Sequence, residues 1–126
     1  MVQLLVISSD PANISGLTSE FAGNREAPVQ HAASGREALE RVGSQPFDLV
    51  VVDEALSDMT GLSFARQLVK CNPMIHCAVV SSLSEEAFHE ASEGLGLLAK
   101  LPPRPSAEDG RYLLERYNMV TGRLSS

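Results

Sequence analysis

Five short apolar runs alternate with five segments of helical period along this 126-residue chain. The clearest run is Leu49 to Val52, inside FDLVVVDEALSDMTGL at Phe47 to Leu62. It is unbroken and rich in β-branched residues, the composition of a strand buried on both faces in a parallel sheet covered by helices. The run stops at Asp53. A carboxylate at the C-terminal end of such a strand lies at the rim where open α/β sheets bind ligands. Any chemistry is therefore expected at Asp53.

The other elements follow the same alternation. Val2 to Ile7 reads as the first strand, and Asp10-Pro11 as the cap and first position of a helix carrying Ile14, Leu17 and Phe21. Pro28 to Ala32 is a short, weakly apolar edge strand. Ser34 and Glu37 form a capping box for a helix with Ala38, Leu39 and Val42 on its buried face. After the central strand, Leu62, Ala65, Leu68 and Val69 line a third helix that Asn72-Pro73 ends. Ile75 to Val80 is a fourth strand. A second capping box, Ser82 with Glu85, opens a helix that Gly94 closes. Leu95 to Leu101 is read as the fifth strand, Pro102, Pro103 and Pro105 as a rigid loop, and Ser106 as the cap of a last helix bearing Leu113, Leu114 and Tyr117. The expected fold class is α/β, a five-stranded parallel sheet with helices on both faces and right-handed crossovers. One domain is expected over residues 1–120, with a loose tail at 121–126. No linker is visible, so no second domain is expected.

Composition excludes several classes. A net charge of −6 with two lysines and no basic stripe argues against direct nucleic-acid binding. No apolar run approaches the roughly 18 residues of a membrane span, and the N-terminus lacks the pattern of a signal peptide. Cys71 and Cys77 form no CxxC pair and are expected as buried or half-buried thiols in a reducing cytoplasm. His31, His76 and His89 are too dispersed for metal-ligand spacing.

At the expected rim the strands deliver Ser8, Ser9 and Asp10, then Asp53, then Ser81, then Lys100 and Leu101. This order resembles the receiver domain of bacterial two-component response regulators. The resemblance is carried by FDLVVVD, by Met59-x-Gly61-Leu62, by the V-V-S end of strand four, and by the run from Gly94 to Pro102. It implies a flavodoxin-like sheet of order 2-1-3-4-5 with its site between strands one and three. It implies Asp53 as acceptor of a phosphoryl group from a histidine kinase or phosphotransfer protein, and Ser81 as the hydroxyl that contacts the phosphoryl oxygens. The downstream contact, a protein partner or a second copy, would use the face of the fourth and fifth helix–strand units, where Leu83, Phe88 and Leu97 lie.

The departures from the family pattern are as informative. The family ends strand one with an acidic pair that holds Mg²⁺; Ser8 and Ser9 stand there. Asp53, Asp10 and the Ala55 carbonyl remain as weak metal ligands, although Asp10 also reads as a helix cap. Leu101 occupies the position of the family's lysine, and Lys100 sits one residue earlier. A shift of one residue turns a strand side chain to the opposite face, so Lys100 reaches the site only through a bulge. Leu98 replaces a switch aromatic and is expected as a packing residue. Weakened metal binding and loss of a cation should both slow phosphoryl transfer, which depends on positioning and charge neutralisation.

Three functions compete on these residues. The first is a receiver signalling through protein contact with Asp53 as phosphoacceptor. The second is a pseudo-receiver that acts as an interaction or dimerisation module without phosphorylation. The third, a phosphohydrolase with Asp53 as nucleophile, is disfavoured because Ala55 stands where a second acid is needed and no catalytic triad or Gly-rich loop is present.

Overall fold

The computed structural model describes residues 2–23 and 28–122. Five strands form one parallel sheet: β1 (Leu4–Ile7), β2 (Val29–Ala32), β3 (Leu49–Val52), β4 (His76–Val80) and β5 (Ala99–Leu101). Their order is β2-β1-β3-β4-β5, with every neighbouring pair parallel. The helices are α1 (Ser15–Ala22), α2 (Gly35–Ser44), α3 (Gly61–Cys71), α4 (Glu85–Ala91) and α5 (Ala107–Thr121). A 3-10 turn, Pro11–Ile14, precedes α1. The parallel sheet with helices on both faces matches the expectation from the alternating pattern, and the strand order matches what the resemblance implies.

Strand side chains alternate between two apolar layers, which explains why the central strands show no polar alternation. Leu4, Val6, Leu49, Val51, Ala78, Val80 and Leu101 pack toward α1 and α5, against Ile14, Leu17, Phe21, Leu113 and Tyr117. Leu5, Ile7, Val50, Val52, Cys77 and Val79 pack the other way, against Ala38, Phe64, Ala65, Leu68 and Phe88. Burying both faces leaves the backbone groups at the strand ends as the natural place for polar chemistry.

Several boundaries differ from the sequence reading. The fifth strand starts at Ala99, not Leu95, because Gly94 and Gly96 adopt left-handed backbone (φ 84° and 62°) that no strand can continue. Helix α4 is capped by Ser84, whose hydroxyl accepts the Ala87 N–H; Ser82 is not the cap. Ser34 caps α2 as expected, but Glu37 returns its carboxylate to the Ala33 N–H, one residue short of a capping box. The complete box is at α5, between Ser106 and Asp109. That helix runs to Thr121 and closes on left-handed Gly122, so the assigned tail is shorter at its start. The rest of it, 123–126, lies outside the described residues. Cys77 is buried, with its thiol pushed up to about 12 by desolvation, but Cys71 is exposed, contrary to expectation.

Asp58, in the β3–α3 loop, accepts the N–H groups of Gly35 and Arg36 at 2.9 and 3.0 Å. These two bonds, Gly35 first, hold its carboxyl below the ordinary carboxylate range. The start of α2 is therefore fastened from outside as well as by its own serine.

Candidate functional site

Asp53 follows the last residue of β3, and the Asp53 N–H donates to the Ile7 carbonyl of β1 at 2.9 Å. This places it where the chain order reverses across the sheet, between the two central strands. The side chain is 8% exposed, yet it is not stranded among apolar neighbours. Oδ1 accepts the Glu54 N–H at 2.8 Å and Oδ2 accepts the Ser8 hydroxyl at 2.9 Å. Each carboxylate oxygen keeps a further lone pair for another partner. Beside it lies a cavity of about 250 Å³ lined by Asn13, Asp53, Glu54, Ala55, Val80, Pro103 and Arg104.

The loop from Glu54 to Thr60 shapes one wall of this region. Ala55 bridges Thr60 in antiparallel fashion, the Leu56 N–H donates to the Met59 carbonyl at 2.8 Å, and the Gly61 N–H to the Glu54 carbonyl at 2.9 Å. A side chain at Gly61 would collide with the Asp53 carbonyl oxygen. Glycine is needed there for close approach, so α3 can begin directly against the residue that ends β3.

The serines at the end of β1 are built into the framework. The Ser8 oxygen accepts the Asp10 N–H at 3.1 Å, and its single proton is shared between Asp53 Oδ2 and the Asp10 carbonyl, 2.8 Å away. The Ser9 hydroxyl donates to the Ala33 carbonyl and accepts the Ser57 N–H, at 2.9 and 2.8 Å. It thus ties three rim loops together. The Asp10 carboxylate accepts the Ala12 N–H and caps the 3-10 turn. Asp53 and Ala55 share the cavity wall, whereas Asp10 is committed to its cap and does not join them. Among the described residues no group of three His, Cys, Asp or Glu side chains is placed to hold a metal. Asp53 is the one carboxylate on the cavity wall not committed elsewhere, since Glu54 is bound to Ser82, so the protein offers Mg²⁺ a thin share of the one or two carboxylates and waters that its octahedral shell usually takes.

The β4–β5 side of the rim also departs from the expected roles. Ser81 is buried at the correct end of the sheet, but its hydroxyl accepts the Leu83 N–H at 3.1 Å and makes a long, 3.5 Å contact to Glu54. The Glu54 carboxylate is held by the Ser82 N–H and hydroxyl at 2.7 and 2.8 Å. Lys100 points toward α4, where its ammonium lies 3.7 Å from Glu85, and it makes no ion pair with Asp53 among the described residues. The bulge that would have turned it inward is absent from the β4–β5 pairing, where Val79 faces Lys100 and Val80 faces Leu101 in regular register. Leu101 and Leu98 are buried in the α1/α5 layer as packing residues.

Sequence motifs did not mark Asn13, Glu54 or Arg104. Glu54 carries a readable signal, since a second acid directly after the strand-end aspartate must find donors. Arg104 had one too: a cation held between Pro103 and Pro105 has few directions open to it.

Comparison with known proteins agrees with this geometry. The response regulator receiver domain model matches residues 4–101. The transcriptional regulatory protein ZraR of Escherichia coli K12 is 31% identical over 83 residues, covering 66% of this chain and 19% of that protein. The chain therefore spans about a fifth of the length of that curated relative. The chemotaxis response regulator CheY4 of Vibrio cholerae superposes with a TM-score of 0.81 at 18% identity, covering 93% of this chain and 98% of the other. A CheY-like receiver domain protein from Methanospirillum hungatei gives 0.82 at 18% identity, covering 98% and 99%. The Francisella response regulator 1452 receiver domain gives 0.81 at 22% identity, covering 95% and 99%. Strand order, the aspartate at the switch point and a family match over most of the chain lead to one conclusion: this chain belongs to the response regulator receiver domain family of two-component signalling.

Proposed function

We propose that this receiver takes a phosphoryl group at Asp53 from a histidine kinase or phosphotransfer protein and signals by protein–protein contact. The observation that carries this reading is the Asp53 carboxylate itself. It sits at the switch point, fixed by the Glu54 N–H and the Ser8 hydroxyl, beside a cavity large enough for a phosphoryl group. In the reaction a carboxylate oxygen bonds to phosphorus as the phosphorus–nitrogen bond to the donor histidine breaks, and the imidazole leaves with the electron pair. The fixed hydrogen bonds orient the nucleophile, which is the protein's main contribution to such transfers.

Mg²⁺ binding, where it occurs, is weak in this reading, because Asp53 and the Ala55 carbonyl are the uncommitted acidic and carbonyl ligands on the cavity wall, the Glu54 carboxylate there being held by Ser82. The partner-facing surface is the groove between α4, β5 and α5, lined by Phe88, Leu97, Tyr112 and Arg116, and it accepts a downstream protein or a second copy. No helix among the described residues is long and apolar enough to cross a membrane. Two free thiols suit a reducing compartment, and we assign the chain to the cytoplasm.

Incubation with a small acyl phosphate and Mg²⁺ should add about 80 Da to the intact mass, the increment of one phosphoryl group. Asp53→Asn should abolish it. A wild-type mass that stays unchanged would favour a second reading, a phosphorylation-independent interaction module. That reading draws on one specific pattern: Ser8, Ser9, Ser81 and Lys100 are all engaged in holding loops and helices.

A further inference from the structure

We propose that Arg104 is the phosphoryl-contacting cation of this chain, acting across the cavity from Asp53 together with the Asn13 amide. The proposal rests on Asp53 as the phosphoacceptor and names the group that receives the transferred oxygens. Both residues line the cavity that Asp53 opens onto. Neither side chain has a hydrogen bond or ion pair with any other described residue, whereas Lys100 is taken by Glu85. The negative groups at the cavity are Asp53 and Glu54, and the latter is already held by donors from Ser82. Arg104 is the one cation on the cavity wall.

Its backbone is placed with unusual firmness. Arg104 has φ 54°, the only left-handed residue other than glycine among the described residues. Non-glycine residues hold that conformation where surrounding structure imposes it, and such positions gather at ligand sites. Here the imposing structure is Pro105, which is buried, with its carbonyl close against Gly16 of α1, followed by the capping box of Ser106 and Asp109. A planar guanidinium with five donors matches the oxygens of a phosphoryl group better than a point charge does. The Asn13 amide supplies neutral donors from the opposite loop.

With a small acyl phosphate as donor, an Asp53 oxygen bonds to phosphorus while the donor's phosphorus–oxygen bond breaks and its carboxylate departs with the electron pair. Arg104 would stabilise the charge spread over the three equatorial oxygens.

The test uses the whole chain in two parallel assays. In the first, inorganic phosphate is titrated into Asp53→Asn, whose neutral amide removes the repulsion, and amide shifts of Glu54 and Arg104 are followed by NMR. Adding Arg104→Gly should raise the phosphate dissociation constant about tenfold, the low end for loss of a hydrogen bond to a charged group. Glycine adopts the left-handed backbone freely, so a folding defect is not expected, and Arg104→Lys should fall between the two. In the second assay, the initial rate of mass gain from the acyl phosphate should drop about tenfold in Arg104→Gly, the low end for loss of a hydrogen bond to a charged group. Phosphate binding that ignores Arg104 in the first assay, or is undetectable, overturns the proposal. Wild-type phosphorylation that Arg104→Gly leaves unchanged also overturns it while sparing Asp53 as acceptor. Phosphate binding that needs Arg104, in a chain that never gains mass, overturns the acceptor reading and leaves the anion pocket standing.

Discussion

The two halves of the C-terminal rim solve the same problem differently. On the β1–β3 half, neutral hydroxyls do the holding: Ser8 bonds Asp53 and Ser9 joins the loops after β1, β2 and β3. On the β4–β5 half, charges are consumed in fastening: Glu54 binds Ser82, and Lys100 pairs with Glu85. In the first half the Asp53 carboxylate is oriented and left available. In the second, the Ser81 hydroxyl accepts the Leu83 N–H of the β4–α4 loop and Lys100 pairs with Glu85 of α4. A receiver fold can therefore hold a fixed carboxylate at its switch point while the neighbouring charges fasten loops and helices.

The comparison breaks most severely at Gly61. Gly61→Ala puts a methyl group against the Asp53 carbonyl and should cost about 1–3 kcal/mol, the range for overpacking, as read by urea unfolding. It should also shift the Asp53 amide resonance; an unchanged resonance would mean that the close approach does not matter to Asp53.

On the β4–β5 half, Glu54→Gln weakens charge-assisted bonds to Ser82 and should cost about 1 kcal/mol, given partial exposure. Hydrogen exchange at Ser82 and Leu83 should quicken, while exchange at the strand amides stays slow. Uniform quickening would deny that the two halves are independent.

Converting the neutral half back to an acidic one sharpens the contrast. Ser8→Asp with Ser9→Asp should raise Mg²⁺ affinity, because two carboxylates would converge on Asp53. Without metal the double variant should melt lower, from like-charge crowding and from loss of the Ser9 bridge. Equal Mg²⁺ titrations for wild type and variant would remove Ser8 and Ser9 from the metal positions.

A smaller effect is expected at Lys100. Its partner Glu85 is 90% exposed, so Lys100→Ala should change stability by about 0–1 kcal/mol and leave Asp53 phosphorylation unaltered. A strong loss of phosphorylation would bring Lys100 back to the site.

The smallest change concerns Asp58, which fastens α2 from the β3–α3 loop. Its carboxyl is lower in the folded chain than in the unfolded one, so its contribution is present above the unfolded value, near 3.9, and disappears as pH falls through the folded value. Comparing wild type with Asp58→Asn should show a stability difference at pH 7 that closes in acid. A difference that persists at the lowest pH would locate the effect elsewhere.

The two apolar layers and the position of Asp53 were readable because they depend on periodicity and on where an apolar run stops, whereas the strand order came from the family resemblance. Leu49 to Val52, short and rich in β-branched residues, reads as a strand covered on both faces, and the residue after it then reaches the rim. The Lys100 displacement was legible for the same reason: strand parity sends neighbouring side chains to opposite faces. What the chain could not reveal alone were choices among hydrogen-bond partners. Ser82 and Ser84 are equally good caps on paper, and only the Glu54 carboxylate, 28 residues away from Ser82, decides between them. Likewise Ser8 could be a vestige until its hydroxyl is found on Asp53, 45 residues distant. Periodicity is a local property that the sequence carries in full, whereas the partner of a polar side chain is set by which loops the packed sheet brings together, and that is decided only when the chain has folded.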